Sequence, residues 1–302
     1  MTAFALLLVL VAAVLHATWN YCAKRAGGGL PFVWVVGAVI CLGYIPVLAV
    51  YSFRHSLSLP PGACPWILGS GLLKTSYALF LQRGYRTGDF SLIYPLARGT
   101  GPLLSTLAAI LLLGERPTPL ALAGGAVIIA SIFWLTGGFA KAAGLLRARG
   151  RPPAATGPAS PVLFSSLNYG LLSGVFIAAY TLWDRHGVAA LGVSPILYDS
   201  GTAFTQLALL SFFACRRWSE VKTEWRTHQR WIFGVALLSP IAYVLILTAM
   251  TFTPVSYLAP AREVSIVIGA FIGAKFLRET DGRRRLLAAF AMAGGVIALA
   301  LG

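Results

Sequence analysis

Lys74, Arg98, Arg262 and Glu263 lie near the middle of long apolar stretches of this sequence. Their polar companions in such stretches are His16, Asn20, Asn168, Asp199 and Gln206. A charged residue at the centre of a membrane helix costs roughly 2.5–3.5 kcal/mol on insertion scales, so each of them requires a partner, water or a ligand. A guanidinium group binds carboxylates and other anions, while a carboxyl group can carry a proton or bind an ammonium group. These residue types therefore predict a binding site for a charged or zwitterionic small molecule.

Basic residues outnumber acidic ones among these four, which leaves positive charge for an anionic group to neutralise. We expect Arg98 and Arg262 to hold that group with help from Lys74, and Glu263 to carry a proton or to pair with a substrate ammonium. A structural role is the alternative, in which Arg98 and Glu263 form a buried ion pair that only fixes the packing. Lys74 could also extend its ammonium to the membrane surface if its helix begins later than expected.

Aromatic and amide side chains accompany these charges and could shape the walls of a cavity. Tyr94 lies one helical turn before Arg98 on the same face. The other expected wall residues are Trp19, Asn20, Tyr77 and Trp183. An aromatic ring combines an apolar body with a polar tip, so such residues stack on ligands and also form belts at membrane interfaces. For each single ring, the interfacial belt is the alternative interpretation.

The elements that must position these residues follow from the composition. The chain has 302 residues, of which 58% are hydrophobic and 11% charged, whereas a soluble domain carries about 25% charged residues. Its apolar runs are about 20 residues long, enough to cross roughly 30 Å of hydrocarbon as an α-helix. Because lipid cannot pair with backbone groups and the runs show no alternating pattern, we predict an all-α polytopic membrane protein. Ten transmembrane helices are expected near residues 3–22, 32–53, 65–84, 88–113, 119–137, 162–183, 194–214, 230–252, 254–277 and 283–301.

The two halves of the sequence repeat each other at an offset of 164 residues. Three residues that share one helical face recur in this way: His16, Trp19 and Asn20 correspond to Tyr180, Trp183 and Asp184. Arg98 corresponds to Arg262 at the same offset. We therefore expect two five-helix repeats, 1–137 and 162–302, joined by a basic linker, 138–161. Since five is odd, the second repeat enters the membrane upside down, as in many secondary transporters.

Basic residues are distributed unevenly between the predicted loops. The loops after odd-numbered helices hold seventeen Lys and Arg residues, and those after even-numbered helices hold three, Arg54, Arg116 and Arg185. Since cytoplasmic loops collect basic residues, this pattern predicts a cytoplasmic linker and both termini outside. The same rule accounts for the net charge of +15 without a nucleic-acid partner.

Sequence motifs for catalysis or metal binding are not found. The four histidines, His16, His55, His186 and His228, have no metal-binding spacing, and no nucleophile elbow or phosphate-binding loop is present. We therefore expect no enzymatic activity, no metal and no cofactor. Without an ATP-binding loop, uphill movement of a substrate must draw on a gradient.

The helix that contains Arg98 ends in Gly114-Glu115-Arg116-Pro117, and a fainter copy, Arg278-Glu279-Thr280, follows the ninth helix. Glycine pairs mark the fifth and tenth helices, at Gly124-Gly125 and Gly294-Gly295. With these features the chain resembles the EamA-type ten-helix transporters of the drug/metabolite transporter superfamily over nearly its whole length. The resemblance implies the same fold and transport of a small metabolite. Characterised relatives export amino acids and metabolites, and more distant ones exchange sugar phosphates and nucleotide sugars.

We therefore expect a multi-pass secondary transporter of the cell inner membrane that exports small amino acids or related zwitterionic metabolites by alternating access. Its partners would be the small-molecule substrate and the lipid bilayer, and a monomer with two internal repeats is sufficient. One alternative is an exchanger of organophosphates, phosphonates or other anionic metabolites. Another is a lipid-carrier flippase or a non-transporting membrane subunit. A closed polar pocket favours a soluble substrate, and a large apolar groove favours the flippase.

Overall fold

The computed structural model describes residues 3–55, 57–113, 118–135, 161–253, 262, 264–277 and 282–301. Over these residues the regular structure is helical throughout. In chain order the helices are α1 (Ala3–Ala26), α2 (Leu30–Ser52), α3 (Ala63–Thr87), α4 (Phe90–Leu113), α5 (Pro119–Leu135), α6 (Pro161–Arg185), α7 (Pro195–Arg216), α8 (Trp218–Phe252), α9 (Val264–Phe276) and α10 (Gly282–Leu301). The predicted helical fold is thereby confirmed. The Gly114–Pro117 segment, most of the predicted linker and residues 254–261 of the predicted ninth helix lie outside the described residues.

Two segments differ from the predicted boundaries. Helix α8 begins at Trp218 rather than near residue 230, and a kink at His228, with φ −120° and ψ 19°, separates its first turns from the rest. These first turns contain neither Gly nor Pro, and Arg217 Nε donates to Glu220 Oε1 at 2.7 Å. Helix-compatible residues with an acidic group in the first turn form a helix even where they are too polar for lipid. After α6 the chain continues as one π-helical turn, His186–Ala190.

The helices pack with an internal symmetry that exchanges the two halves. The main contacts combine one helix from each half: α1 with α8, α3 with α6, α2 with α8, α3 with α7, and α5 with α10. Replacing each helix by its counterpart five places away maps α1–α8 onto α6–α3, and α2–α8 onto α7–α3. It also maps α4–α6 onto α9–α1, and both contacts are present. The fold therefore consists of two related five-helix repeats, which are inverted because each has an odd number of helices.

Large apolar side chains cover much of the outer surface. Among the most exposed are Phe4, Leu42, Val50, Phe212, Leu237 and Phe290. Extensive exposed apolar surface marks a face that meets a membrane or another protein. In the described part of the chain, α1, α2 and α8 are long and apolar enough by themselves to cross a membrane. These features are those of a multi-pass membrane protein.

Glycines allow α4 to pack closely against helices of the second half. A Cβ atom added to Gly174 of α6 would lie 2.6 Å from Thr100 Cβ, and one added to Gly269 of α9 would lie 2.4 Å from the Tyr94 ring. Such distances leave no room for a side chain, so these glycines serve close helix contacts. The segment of α4 from Tyr94 to Thr100 is therefore held against α6 and α9.

Candidate functional site

A cavity of about 140 Å³ lies between the two halves of the molecule. Helices α1, α2 and α3 supply one side of it, and α6, α7 and α8 supply the other. Its polar lining consists of His16, Lys74, Gln82, Asp199, Thr202, Gln206 and Ser239. Its aromatic lining consists of Trp19, Phe32, Tyr77, Tyr180 and Tyr243. A concave, largely apolar space with a few polar groups is the usual form of a small-molecule site.

One lysine and two aspartates meet at this cavity. Lys74 Nζ lies 3.3 Å from Asp199 Oδ1 and 3.4 Å from Asp184 Oδ2. The Asp184 side chain is fully buried, with 0% exposure, whereas the Asp199 side chain is 12% exposed and lines the cavity. With all three groups ionised, the cluster holds one more negative charge than positive charge.

Three tyrosines donate hydrogen bonds to the two carboxylates. Asp199 Oδ2 accepts from Tyr44 OH at 2.6 Å. Asp184 accepts from Tyr198 OH, at 3.0 Å, and from Tyr243 OH. Carboxylates removed from water need such donors, because an ionised group without partners is strongly disfavoured in an apolar interior. The result is a bonded network that joins α2 and α3 of the first half to α6, α7 and α8 of the second.

The surroundings of Lys74 differ from those that its sequence context indicates. Its ammonium faces two carboxylates and also lies over the Tyr243 ring, 3.9 Å from the ring centroid. A cation in this position is stabilised by the ring as well as by the carboxylates. Lys74 therefore lines the cavity as expected, but its charge is already compensated within the protein. The excess charge at this end of the cavity is negative.

Arg98 and Arg262 are both buried, and they lie next to each other. The Arg98 Nη2 group donates to the backbone carbonyl of Arg262 at 3.5 Å. Neither arginine lines the cavity. Both interact electrostatically with His16 and Tyr77, which do line it. We call these two residues the arginine layer: they lie outside the cavity lining, and their charges act on His16 and Tyr77 in its wall.

Three more of the predicted site residues are divided between the cavity and the packing around it. Trp19 and Tyr77 line the cavity, and Trp19 Nε1 donates to His16 Nδ1 at 3.3 Å. Tyr94 is buried away from the lining and stacks on Phe90, with the ring centroids 5.0 Å apart. Glu263, the predicted proton carrier, lies outside the described residues.

Asn20 and Trp183, also predicted as wall residues, make contacts outside the cavity lining. The buried Asn20 side chain accepts a hydrogen bond from Tyr85 OH at 2.8 Å. Trp183 Nε1 donates to the Trp66 carbonyl at 2.8 Å, and the centroids of the two indole rings lie 4.3 Å apart. These residues therefore fix the helices that surround the cavity rather than facing its interior.

Neither aspartate of the cluster belongs to the substrate-binding residues predicted from sequence, although Asp199 is one of the polar companions of the mid-helix charges. Asp184 is the repeat counterpart of Asn20, so the 164-residue offset is a signal that points to it. Asp199 lies within the predicted helix 194–214, but no local pattern connects it with Lys74, 125 positions earlier. Only the packing of α3 against α7 brings these two side chains together.

Comparison with known proteins agrees with the observed fold. A sequence model of the EamA-like transporter family matches two segments of the chain, residues 3–137 and 165–301. A solved structure, described only as the crystal structure of a protein, matches with a TM-score of 0.60 and 17% identity. That match covers 99% of this chain and 97% of the other, and at this identity it concerns the fold alone. A comparison with curated proteins gave no match.

Proposed function

Because the chain belongs to the EamA-like transporter family, whose members move small molecules across membranes, we propose that it exports small amino acids or related zwitterionic metabolites. The substrate binds in the cavity between the two repeats. Inverted repeats of this kind expose such a central site alternately to the two sides of the membrane. The proposed location is the cell inner membrane, with the linker in the cytoplasm as the Lys and Arg distribution predicts.

The distribution of charge around the cavity carries this proposal. Asp199 and its cluster supply excess negative charge, while Arg98 and Arg262 supply positive charge behind the wall that contains Tyr77. Lys74 and Tyr77 lie one turn apart on α3, about 5 Å along the helix axis. An α-amino acid carries an ammonium group and a carboxylate bonded to the same carbon atom, so one small molecule presents both charges to this part of the cavity. Its ammonium would face Asp199, and its carboxylate would face the arginine layer.

The size of the cavity favours a small substrate. Its volume is about 140 Å³, and an apolar protein cavity of about 150 Å³ accommodates a benzene molecule. A small amino acid fits this space, whereas a nucleotide sugar does not. The rings of Trp19, Tyr180 and Tyr243 would contact the apolar part of the substrate, and they also suit an ammonium group.

The charges favour a zwitterion over a purely anionic substrate. Recognition of a phosphate group requires uncompensated basic side chains. At the cavity surface Lys74 is paired with Asp184 and Asp199, and the extra carboxylate would repel an anion. This arrangement supports an amino acid more directly than an organophosphate.

The lipid-carrier alternative has an observation of its own. An apolar groove of about 430 Å³ lies between α2, α3 and α7 and could receive acyl or prenyl chains. It is lined by Leu48, Leu57, Leu59, Cys64, Ile67, Leu68, Leu197, Ser200, Gly201 and Phe204. Among these residues none is charged, so the groove offers no group for a phosphate head. We retain lipid transport as the second candidate function.

A binding panel on the detergent-purified full-length protein tests these alternatives. A ligand at 100 times its dissociation constant stabilises a protein by about 2.7 kcal/mol, which is visible as a thermal shift. We expect stabilisation by alanine and other small amino acids, and exchange of labelled alanine in proteoliposomes. A response confined to sugar phosphates or phosphonates would support the anion exchanger, and a response confined to polyprenyl phosphates would support the lipid transporter. Either outcome contradicts the leading proposal.

Comparing two arginine variants, one in the arginine layer and one outside it, shows whether this layer takes part in substrate binding. Because Arg262 lies behind the wall, it would act on the substrate carboxylate through space, and Arg262→Gln should weaken alanine binding roughly tenfold, about 1.4 kcal/mol. The matched control is Arg285→Gln. Arg285 is buried to a similar degree, 7% exposed against 5%, but it pairs with Asp89 at 2.7 Å outside the cavity lining. Equal alanine affinity in Arg262→Gln and the parent would remove the arginines from the site.

A further inference from the structure

The charged cluster at the cavity has one cation for two carboxylates. Lys74 can compensate only one of Asp184 and Asp199. The other titratable groups around the cluster are His16 of α1, Cys41 and Tyr44 of α2, Tyr77 of α3, Tyr180 of α6, Tyr198 of α7 and Tyr243 of α8. Arg262 lies behind the wall and interacts electrostatically with Tyr243, but among the described contacts it makes no ion pair with either aspartate. The phenols and the thiol add no positive charge. An uncompensated charge inside a membrane protein is expected to bind a proton or another cation during function.

We propose that Asp199 binds a proton and the ammonium group of the substrate in turn, which makes this chain a proton–substrate exchanger. This inference rests on the proposed function and adds to it the coupling ion and the residue that binds it.

Exposure distinguishes Asp199 from Asp184. The Asp184 side chain has no exposed surface, and its two oxygens are occupied by Tyr198 and Tyr243. The Asp199 side chain is 12% exposed and lines the cavity. A group that exchanges protons with water must be reached from a water-accessible space. Asp199 meets this requirement, and Asp184 does not.

Protonation of Asp199 has a direct consequence for the contact between the two halves. A proton from the cavity adds to Asp199 Oδ1, the oxygen that faces Lys74, and the net charge of the cluster rises from −1 to 0. Lys74 keeps its ion pair with Asp184, while its attraction to Asp199 is reduced to that of a neutral group. Since Lys74 belongs to α3 and Asp199 to α7, the proton weakens a bond between the first and second halves.

Competition for one carboxylate gives the exchange its stoichiometry. When the substrate ammonium occupies Asp199, the proton leaves to water, and neither can bind while the other is present. One proton therefore moves inward for each molecule exported. Because a zwitterion carries no net charge, each cycle also moves one positive charge inward.

Calorimetric titration of the full-length protein with alanine tests this competition. In the parent we expect alanine affinity to fall as the pH is lowered, approaching tenfold per pH unit, with about one proton released per alanine bound. Asp199→Asn should bind alanine more weakly, with an affinity that does not vary with pH and with no proton release. Asp199→Glu should restore proton release. An alanine affinity of the parent that does not vary with pH, or proton release that persists in Asp199→Asn, would overturn the inference.

The matched control for a lost carboxylate is Asp89→Asn. Asp89 also pairs with a basic residue, Arg285, but its side chain is 46% exposed and lies outside the cavity lining. Proton release on alanine binding should be the same in Asp89→Asn as in the parent. Loss of release in this variant would show that the coupling is not specific to Asp199.

Infrared difference spectroscopy separates a failure of this inference from a failure of the proposed function. If alanine and other small amino acids do not bind the parent, the proposed function is wrong, and the proton site is still measurable without substrate. Acidification of the parent should produce the C=O band of a protonated carboxyl group. That band should be absent in Asp199→Asn and present in Asp199→Glu and Asp89→Asn. A band of equal size in Asp199→Asn would exclude Asp199 as the proton-binding group.

Discussion

Asn20 in α1 and Asp184 in α6 occupy equivalent places in the two repeats, yet their surroundings differ. Asn20 accepts a hydrogen bond from Tyr85, so this contact stays within the first half. Asp184 accepts from two tyrosines of the second half and pairs with Lys74 of the first. Both side chains are fully buried. The same helical face is thus neutral in one repeat and charged in the other.

We call the surroundings of Asn20 the neutral end and those of Asp184 the charged end, and neither of these two side chains lines the cavity. Close to the Asn20 contact, the Lys24 ammonium donates to the carbonyls of Tyr85 and Gly88, at 2.7 and 2.6 Å. These described acceptors are neutral. At the Asp184 end, a shared lysine links two carboxylates across the halves. Among the described contacts, an ion-paired cluster across the halves is present around Asp184 and not around Asn20.

Replacing Lys74 by methionine should have the largest effect on this comparison. The substitution leaves Asp184 and Asp199 without their cation, and loss of one partner from a buried ion pair costs about 3–5 kcal/mol. We expect the free energy of unfolding, measured by denaturant titration in detergent micelles, to fall by that amount. Adding Asp199→Asn to Lys74→Met should recover part of the loss. Parent-like stability in the single variant would mean that the lysine does not hold the halves together.

The opposite change adds a charge at the neutral end. Asn20→Asp places a carboxylate in a fully buried position that has the Tyr85 donor, while the nearby Lys24 ammonium is bonded to two carbonyls, so we expect a loss of about 3 kcal/mol at neutral pH. Burial disfavours the charged form, so this loss should shrink as the pH falls and the new carboxyl group becomes protonated. Unfolding measured at acidic and neutral pH checks the sign. A loss that does not depend on pH would point to a steric cause.

Removing a hydroxyl at the charged end should have an intermediate effect. Tyr243→Phe deletes a hydrogen bond to the buried Asp184 carboxylate, and bonds to charged groups contribute about 1.5–3 kcal/mol. The phenyl ring would still lie under Lys74, so the cation–π contact remains. The free energy of unfolding should decrease within that range. A change below about 0.5 kcal/mol, the lower limit for an ordinary hydrogen bond, would show that Asp184 is adequately bonded without this hydroxyl.

The corresponding change at the neutral end should be the smallest. Tyr85→Phe removes the bond to Asn20, and a hydrogen bond between neutral groups contributes about 0.5–1.5 kcal/mol. Its loss should be independent of pH and should leave proton release on alanine binding unchanged. If Tyr85→Phe costs more than Tyr243→Phe, the contrast between a neutral and a charged end is wrong.

Several features of the fold could be predicted from local sequence. The positions of α1 to α5 follow from apolar runs whose backbone groups must bond within each segment. The repeat is visible from single residues, because Trp19 and Trp183, and Arg98 and Arg262, recur at one offset. The first turns of α8 are the exception. Hydropathy identifies segments that cross lipid, and a polar surface helix such as residues 218–227 carries no such signal.

The candidate site was predicted in part. Lys74, Trp19 and Tyr77 line the cavity as expected, and their role in binding stays a prediction. Arg98 and Arg262 lie behind the wall, because helical periodicity gives the direction of a side chain but not the depth at which neighbouring helices cover it. The membrane orientation stays a prediction as well.

The sequence by itself determined that this chain is helical, spans a membrane and contains two repeats, since each of these depends on residues close together or on a simple offset. The pairing of Lys74 with Asp184 and Asp199 was decided by the tertiary structure. These residues come from α3, α6 and α7, and which of their faces meet depends on close packing between the two halves. Such contacts arise only when distant helices are brought together, so no local pattern records them.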